Sequence, residues 1–377
     1  MKNINIKLCN FEKMILDFLR KHINIIIIIL VSILALIVRR YCINFISSDY
    51  TKYLSIWFNK MKEIGSVSAL KEQIGNYNEL YMWIMYFLTK LPLNSLLSIK
   101  LVSILFDFIG AMSSSILVYT LLKRDKIRML YSILTYIIIL FSPTVVLNSA
   151  VWGQCDFIYT TFIILSLILL MKEKYFMSFV LLGVAFALKL QFIFILPVFV
   201  LVYISRHKFP IYYFLIPIVI NILFCFPSII VGKPFIQCMS VYFTQGESYS
   251  SALTLNFPNV YNLLGLGENL SIIPTVNGID FSKIGIIVTL LIFIFMFYIV
   301  FKKKIYLSNE LILDLSIWAV LVCTCFLPHM HDRYMFVADV LSIAFFMIYR
   351  KRIYVPLIIN FVSFSAYIRY LFGDFFL

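Results

Sequence analysis

The stretch INIIIIILVSILALIV, residues 23–38, decides the fold. It holds no ionisable side chain, and extended to position 41 it is long enough, at about 1.5 Å per residue, to cross most of the roughly 30 Å of bilayer hydrocarbon. Within ten residues of its end comes Ser48-Asp49-Tyr50. That sets a carboxylate at the mouth of a membrane helix, where an acid is costly without a partner or a task.

The rest of the chain obeys the same rule. Of its 377 residues 62% are hydrophobic and only 13% charged, more apolar surface than a water-soluble domain can hide. The expected fold is all-α: one integral membrane domain over 1–377, with no separate soluble domain. The net charge of +14 does not indicate nucleic-acid binding, because the positive residues fall in short clusters between apolar runs with no basic groove of interleaved aromatics. The clusters read as topological anchors, and the many Phe and Tyr as interfacial belts. Seven cysteines (Cys9, Cys42, Cys155, Cys225, Cys238, Cys323, Cys325) show no CxxC pair or metal-ligand spacing, and no disulfide is expected. The basic N-terminus ahead of residues 23–38 mimics a signal peptide, but no small-residue cleavage site follows, so an uncleaved first span is expected.

Basic clusters at 2–21, 123–128, 172–174, 206–208, 302–304 and 350–352 all face the cytoplasm if consecutive clusters are joined by an even number of crossings. Eleven spans satisfy this: 23–41, 95–122, 129–148, 157–171, 175–188, 190–205, 210–231, 283–301, 309–327, 333–349 and 353–371, with the N-terminus cytoplasmic and the C-terminus outside. Residues 175–205 are divided in two, because a single tilted helix would invert everything downstream; each half is short, as in a broken or re-entrant pair. Two outer loops result, 42–94 and 232–282. In the first, Tyr53, Leu54, Trp57, Phe58, Met61 and Ile64 recur at helical spacing, which predicts an interfacial helix stopped by Gly65. Residues 80–91, apolar and closed by Pro92, predict a second short helix, re-entrant or interfacial.

This topology gathers the polar motifs on the outer side. Asp49 is either a general base for an acceptor hydroxyl or the N-cap of the interfacial helix. In Trp152-Gly153-Gln154-Cys155-Asp156, the glycine permits a turn and Asp156 suits a cap, while Trp152, Gln154 and Asp156 together offer a stacking face and hydrogen bonds for a sugar. His329-Met330-His331-Asp332-Arg333-Tyr334 concentrates ionisable groups. No further strong ligand recurs at a fixed spacing, so an anion site is preferred to a metal site: Arg333 has the forked donor that phosphate fits, and His329 and His331 add donors. Snorkelling by Arg333 is the alternative. Lys189, with Gln191 beside it, either snorkels to the outer interface or meets an anion in the cavity. Lys100 and Asp107 read as structural ion-pairing groups, and Gly75-Asn76-Tyr77-Asn78 as a turn that is a weak substrate-loop signal.

Taken in order, these motifs resemble the polytopic GT-C glycosyltransferases, and among them the bacterial integral-membrane proteins related to the second mannosyltransferase of GPI-anchor assembly (PIG-V-like). The resemblance is carried by Ser48-Asp49-Tyr50 with Trp57, Ile74-Gly75-Asn76-Tyr77-Asn78, Lys100 with Phe106-Asp107, Val151-Trp152-Gly153-Gln154-Cys155-Asp156, Ala187-Leu188-Lys189-Leu190-Gln191, and Leu327-Pro328-His329-Met330-His331-Asp332-Arg333-Tyr334. It implies an inverting transfer of a mannose-like hexose from a polyprenyl-phosphate donor to an extracytoplasmic glycan or lipid acceptor at a bacterial cell membrane. It also implies Asp49 as the catalytic residue. Donor phosphate would lie near Arg333, Lys189, His329 and His331, and Tyr50, Asn76, Tyr77, Trp152, Gln154, Asp156 and Gln191 would contact sugar or acceptor. Many GT-C proteins carry an acidic pair where this chain has Ser48-Asp49; no cofactor is expected, and a divalent metal is not favoured. A transporter or flippase of lipid-linked sugars, and an outer-face glycan polymerase or ligase, are the rival readings.

Overall fold

The computed structural model describes residues 10–123, 127–247, 252–266 and 273–373. Lys2, Lys7 and Cys9, the cluster residues Arg124 and Lys126, and parts of the 232–282 loop lie outside the described residues.

Helix α1 (Asn10–Cys42) opens the chain and extends well ahead of the expected start at 23. Only 6% of its most apolar window is buried, and Ile25, Ile29, Leu30 and Leu34 are more than half exposed. In water such a face would be an aggregation patch; against lipid tails it has no such penalty. Next come α2 (Ser55–Ile64), α3 (Glu79–Leu88), α4 (Ser95–Leu121), α5 (Arg128–Phe141) and α6 (Pro143–Val146). The middle of the chain supplies α7 (Asp156–Met171), α8 (Tyr175–Leu188), α9 (Leu196–Arg206) and α10 (Ile216–Ile230). The remainder gives α11 (Phe235–Glu247), α12 (Val260–Leu263), α13 (Phe281–Lys302), α14 (Asn309–Phe326), α15 (Phe336–Ile348) and α16 (Tyr354–Phe372).

Six of these segments are long and apolar enough to cross a membrane: Phe11–Cys42, Ser95–Leu121, Ile211–Ile230, Phe281–Lys302, Asn309–Phe326 and Tyr354–Phe372. A seventh forms if Arg128–Phe141 and Pro143–Trp152, bent by 50° at Ser142, count as one span. Asp156–Met171, Tyr175–Leu188, Leu190–Arg206 and Phe336–Ile348 are apolar but only 10–17 residues long. The protein is thus an all-α membrane protein in which short helices are packed inside long ones. The α7 and α15 helices are almost wholly buried, α7 lies against α4 and α8, and α15 touches α4, α14 and α16.

Local signals set several boundaries. The chain breaks at Lys189, which is extended (φ −156°, ψ 137°), so 175–205 does form two helices. Gly65, at φ 69°, ends α2 by donating its N–H to the Met61 carbonyl at 3.1 Å. Of the six residues the periodicity predicts, Trp57, Phe58 and Met61 form the buried face of α2 and Leu54 is buried just ahead of it, while Ile64 is half-buried and Tyr53 exposed. Helix α3 stops at Leu88, three residues before Leu91, and is capped at its start by Asn78, whose Oδ1 accepts from the Glu79 N–H at 2.8 Å.

The described parts of the 232–282 loop hold more secondary structure than the sequence suggests. It contains α11, α12 and β1 (Thr254–Leu255), then a hairpin of β2 (Thr275–Val276) and β3 (Ile279–Asp280) turning on Asn277-Gly278, both at positive φ. Strand β1 pairs in parallel with β4 (Met330–His331), bringing this loop onto the His-Met-His-Asp-Arg segment.

Candidate active site

Two π-helical turns, Tyr50–Leu54 and Leu147–Trp152, flank the polar centre; such widened turns recur at functional sites. Asp49 is not the cap of the first. Its side chain makes no capping bond; instead Ser47 Oγ accepts the Tyr50 N–H at 3.2 Å and donates to the Trp152 carbonyl at 3.1 Å. That leaves the Asp49 carboxylate available for other donors. Trp152 Nε1 and Gln154 Nε2 donate to its Oδ2 at 2.9 and 2.8 Å, and the Tyr370 hydroxyl of α16 donates to its Oδ1 at 2.5 Å. Gly153, at φ 78°, makes the turn that aims Trp152 and Gln154 together. Gln154 is oriented in turn, because its Oε1 accepts from the Tyr77 hydroxyl at 3.2 Å. Burial pushes the Tyr77 phenol well above its ordinary range, so it stays a donor.

Arg333 stands between three carboxylates. Its Nη1 lies 3.6 Å from Asp49 Oδ2 and 3.7 Å from Asp332 Oδ1, and its Nε lies 3.6 Å from Asp156 Oδ2. All three distances exceed a good hydrogen bond, and Nε has no hydrogen-bond partner. The guanidinium sits 5.3 Å from the centroid of the Trp152 ring, which itself stacks on Tyr370 at 4.6 Å. Arg333 is 13% exposed, so it does not snorkel into an interface.

Beneath this layer Asp156, fully buried, holds the Lys189 ammonium and accepts from Asn148 Nδ2 at 2.8 Å. Lys189 neither snorkels nor reaches a cavity, contrary to both sequence readings: its charge is neutralised by Asp156 inside the bundle, beside the rings of Tyr159 and Tyr334. Asp107 does form an interhelical ion pair, with Arg39 at 2.7 Å. Lys100 instead donates to the Ile43 and Phe45 carbonyls at 3.0 and 2.5 Å, satisfying backbone left open just after α1.

A cavity of about 230 Å³ opens over the centre. Among the expected site residues, Asp49, Asn76, Tyr77, Gln154, His331 and Arg333 line it, joined by Asp332, Trp57, Tyr334 and Tyr370. Trp152 and Asp156 do not: both are fully buried, so their role is to fix Asp49 and Arg333 from behind rather than to present a sugar-stacking face. Tyr50 is turned away, its hydroxyl 2.6 Å from Ser95 Oγ. Gln191 and His329 belong to a second, mostly apolar pocket of about 250 Å³ formed with Ile193, Phe194, Ile286 and Leu327. His329 Nδ1 donates to the Ala252 carbonyl at 2.6 Å, which fixes its tautomer. Tyr334 lines both pockets and therefore forms their common wall.

Tyr370 is the contributor that sequence reading missed: an interfacial aromatic near the end of the last helix gives no sign of a partner 321 positions earlier. Asn148 is the other, hidden at the end of an apolar run. Among the described residues, no three His, Cys, Asp or Glu side chains are grouped to hold a metal ion; the carboxylates converge on a guanidinium instead. The arrangement offers chemistry of one kind: an oriented carboxylate able to accept a proton, next to a buried cation able to meet an anion. No family model and no curated protein matches the chain.

Proposed function

We propose that the protein is a membrane glycosyltransferase of the GT-C type, moving a hexose from a polyprenyl-phosphate donor to a hydroxyl of an extracytoplasmic glycan or lipid. The observation that carries this reading is the carboxylate of Asp49, held by three donors from two distant parts of the chain at the wall of a polar cavity that shares Tyr334 with an apolar one. A donor that is part sugar phosphate and part hydrocarbon matches such a pair of spaces. In this scheme all eleven segments cross or re-enter the bilayer, the N-terminus is cytoplasmic and the cavity faces outward.

Asp49 Oδ2 already accepts two hydrogen bonds, whereas Oδ1 accepts one and keeps a lone pair. Oδ1 is the atom that takes the acceptor proton as the acceptor oxygen attacks the anomeric carbon. The bond from that carbon to phosphate oxygen breaks on the opposite side, with inversion, and its electron pair leaves with the lipid phosphate. Arg333, whose Nε has no hydrogen bond and whose Nη1 stands 3.6 and 3.7 Å from its carboxylates, turns its donors to the phosphate, with His331 beside it. Tyr77, Trp57 and Asn76 provide the walls for the sugar.

Asp49→Asn retains the shape but not the base. Purified protein in detergent, given a radiolabelled polyprenyl-phosphate hexose and a mixed acceptor extract, is expected to lose about 10²-fold or more of its turnover in this variant with unchanged thermal melting. Undiminished turnover would refute the assignment, and transport into vesicles without donor consumption would favour a flippase.

A further inference from the structure

We infer that Asp332 is a second catalytic carboxyl, the acid that protonates the departing phosphate while Asp49 accepts the proton of the attacking hydroxyl; this rests on the transferase reading above. Asp332 and Asp49 are the two carboxyls lining the polar cavity among the described residues, and they flank the same atom, Arg333 Nη1, at 3.7 and 3.6 Å. Their surroundings push them to opposite tasks. Asp49 receives three donors and is held as an acceptor. Asp332 is 2% exposed, and its Oδ1 accepts no hydrogen bond. A buried carboxylate oxygen with no hydrogen bond is costly even with a cation 3.7 Å away, and a proton lowers that cost.

The position is fixed rather than incidental. The Asp332 N–H donates to the Leu255 carbonyl at 3.0 Å, one step beyond the β1–β4 pairing, so the outer loop sets where this acid stands. Burial raises its carboxyl to about 7; Arg333 opposes this, and Asp49 and Asp156 add to it. His331, next in the chain, is driven well below its usual range by burial and by Arg333, Lys189 and His329, so it does not titrate near neutrality.

The proton inventory closes without an outside source. The acceptor hydroxyl gives its proton to Asp49, the anomeric carbon–oxygen bond breaks, and Asp332 gives its proton to the oxygen that leaves on the lipid phosphate. Products are the glycoside and a lipid hydrogen phosphate. Transfer of the proton from Asp49 to Asp332 through cavity water restores both groups.

The test is single-turnover donor consumption by the full-length protein in nanodiscs, measured across neutral pH. The acid is active while protonated, so the wild-type rate is expected to fall as pH rises through about 7. D332N is expected to lower the rate about 10²-fold and to lose that alkaline limb, with donor KM little changed, and D332E to recover much of both. A flat wild-type profile overturns the assignment even if D332N fails to fold. So does a D332N enzyme that keeps the limb or whose defect lies wholly in KM. Donor left intact by every form overturns the transferase reading and this one together; a wild type that consumes donor but shows no limb overturns the acid alone.

Discussion

Tyr370 holds Asp49 by a single bond of 2.5 Å from the far end of the chain, and Trp152 holds it from behind while stacking on Tyr370. A hydrogen bond to a charged group contributes about 1.5–3 kcal/mol. Tyr370→Phe is therefore expected to lower turnover about tenfold or more through misorientation of Asp49, with donor KM nearly unchanged and a normal melting temperature; the kinetic split checks it. Asp156 presents a different case, because its partner Lys189 is itself buried. Removing one member of a buried pair leaves an uncompensated charge and costs on the order of 3–5 kcal/mol. Asp156→Asn should thus lower the melting temperature sharply, and adding Lys189→Met should restore part of the loss. Additive losses in the double variant would show that the two groups are not coupled.

At the scale of elements, the site depends on how closely a few helices approach. A Cβ at Gly110 of α4 would lie 2.1 Å from the Phe157 ring of α7, and Phe157 is itself packed against Phe336 of α15. Close helix contact over a small residue is a usual device in membranes. Gly110→Ala should cost about 1–3 kcal/mol, because three buried helices must separate to admit one methyl group; thermal unfolding in detergent measures it. The first loop has its own anchor. Glu79, at the start of α3, receives Lys233 Nζ and Ser228 Oγ, each at 2.5 Å, while Lys233 also reaches Gln73 at 2.6 Å. The buried Glu79–Lys233 pair ties α3 to the end of α10, and neither residue stood out in the sequence, since a Glu after Asn78 reads only as a helix start. Glu79→Gln should loosen the 65–78 segment that carries Asn76 and Tyr77, detectable as faster proteolysis there.

For the whole molecule, the eleven-crossing scheme sets the two ends of α13 on opposite sides of the membrane. In a cysteine-free background, Val276→Cys is expected to react with an impermeant maleimide in intact cells, and Lys303→Cys only after permeabilisation. Labelling of both from outside would overturn the scheme. Short helices such as α7 and α15 are covered by protein on nearly every face, so they need not match the hydrocarbon thickness alone.

Composition and periodicity by themselves determined that the chain is helical and membrane-embedded, that α2 buries Trp57, Phe58 and Met61, and that Gly65 ends it. These are local properties: apolar length, 3.6-residue spacing and the tolerance of glycine for positive φ are written within one turn or one span. The sequence also singled out Asp49, Gln154 and Arg333, because polar groups at the ends of apolar runs are conspicuous. Only the tertiary structure decided what each one touches. It moved Lys189 from cavity to ion pair, Trp152 from sugar platform to support, and His329 into a separate apolar pocket, and it brought Tyr370 to Asp49. The physical reason is that a buried polar group takes whichever partner the packing brings within about 3 Å, and that partner can come from any helix in the bundle.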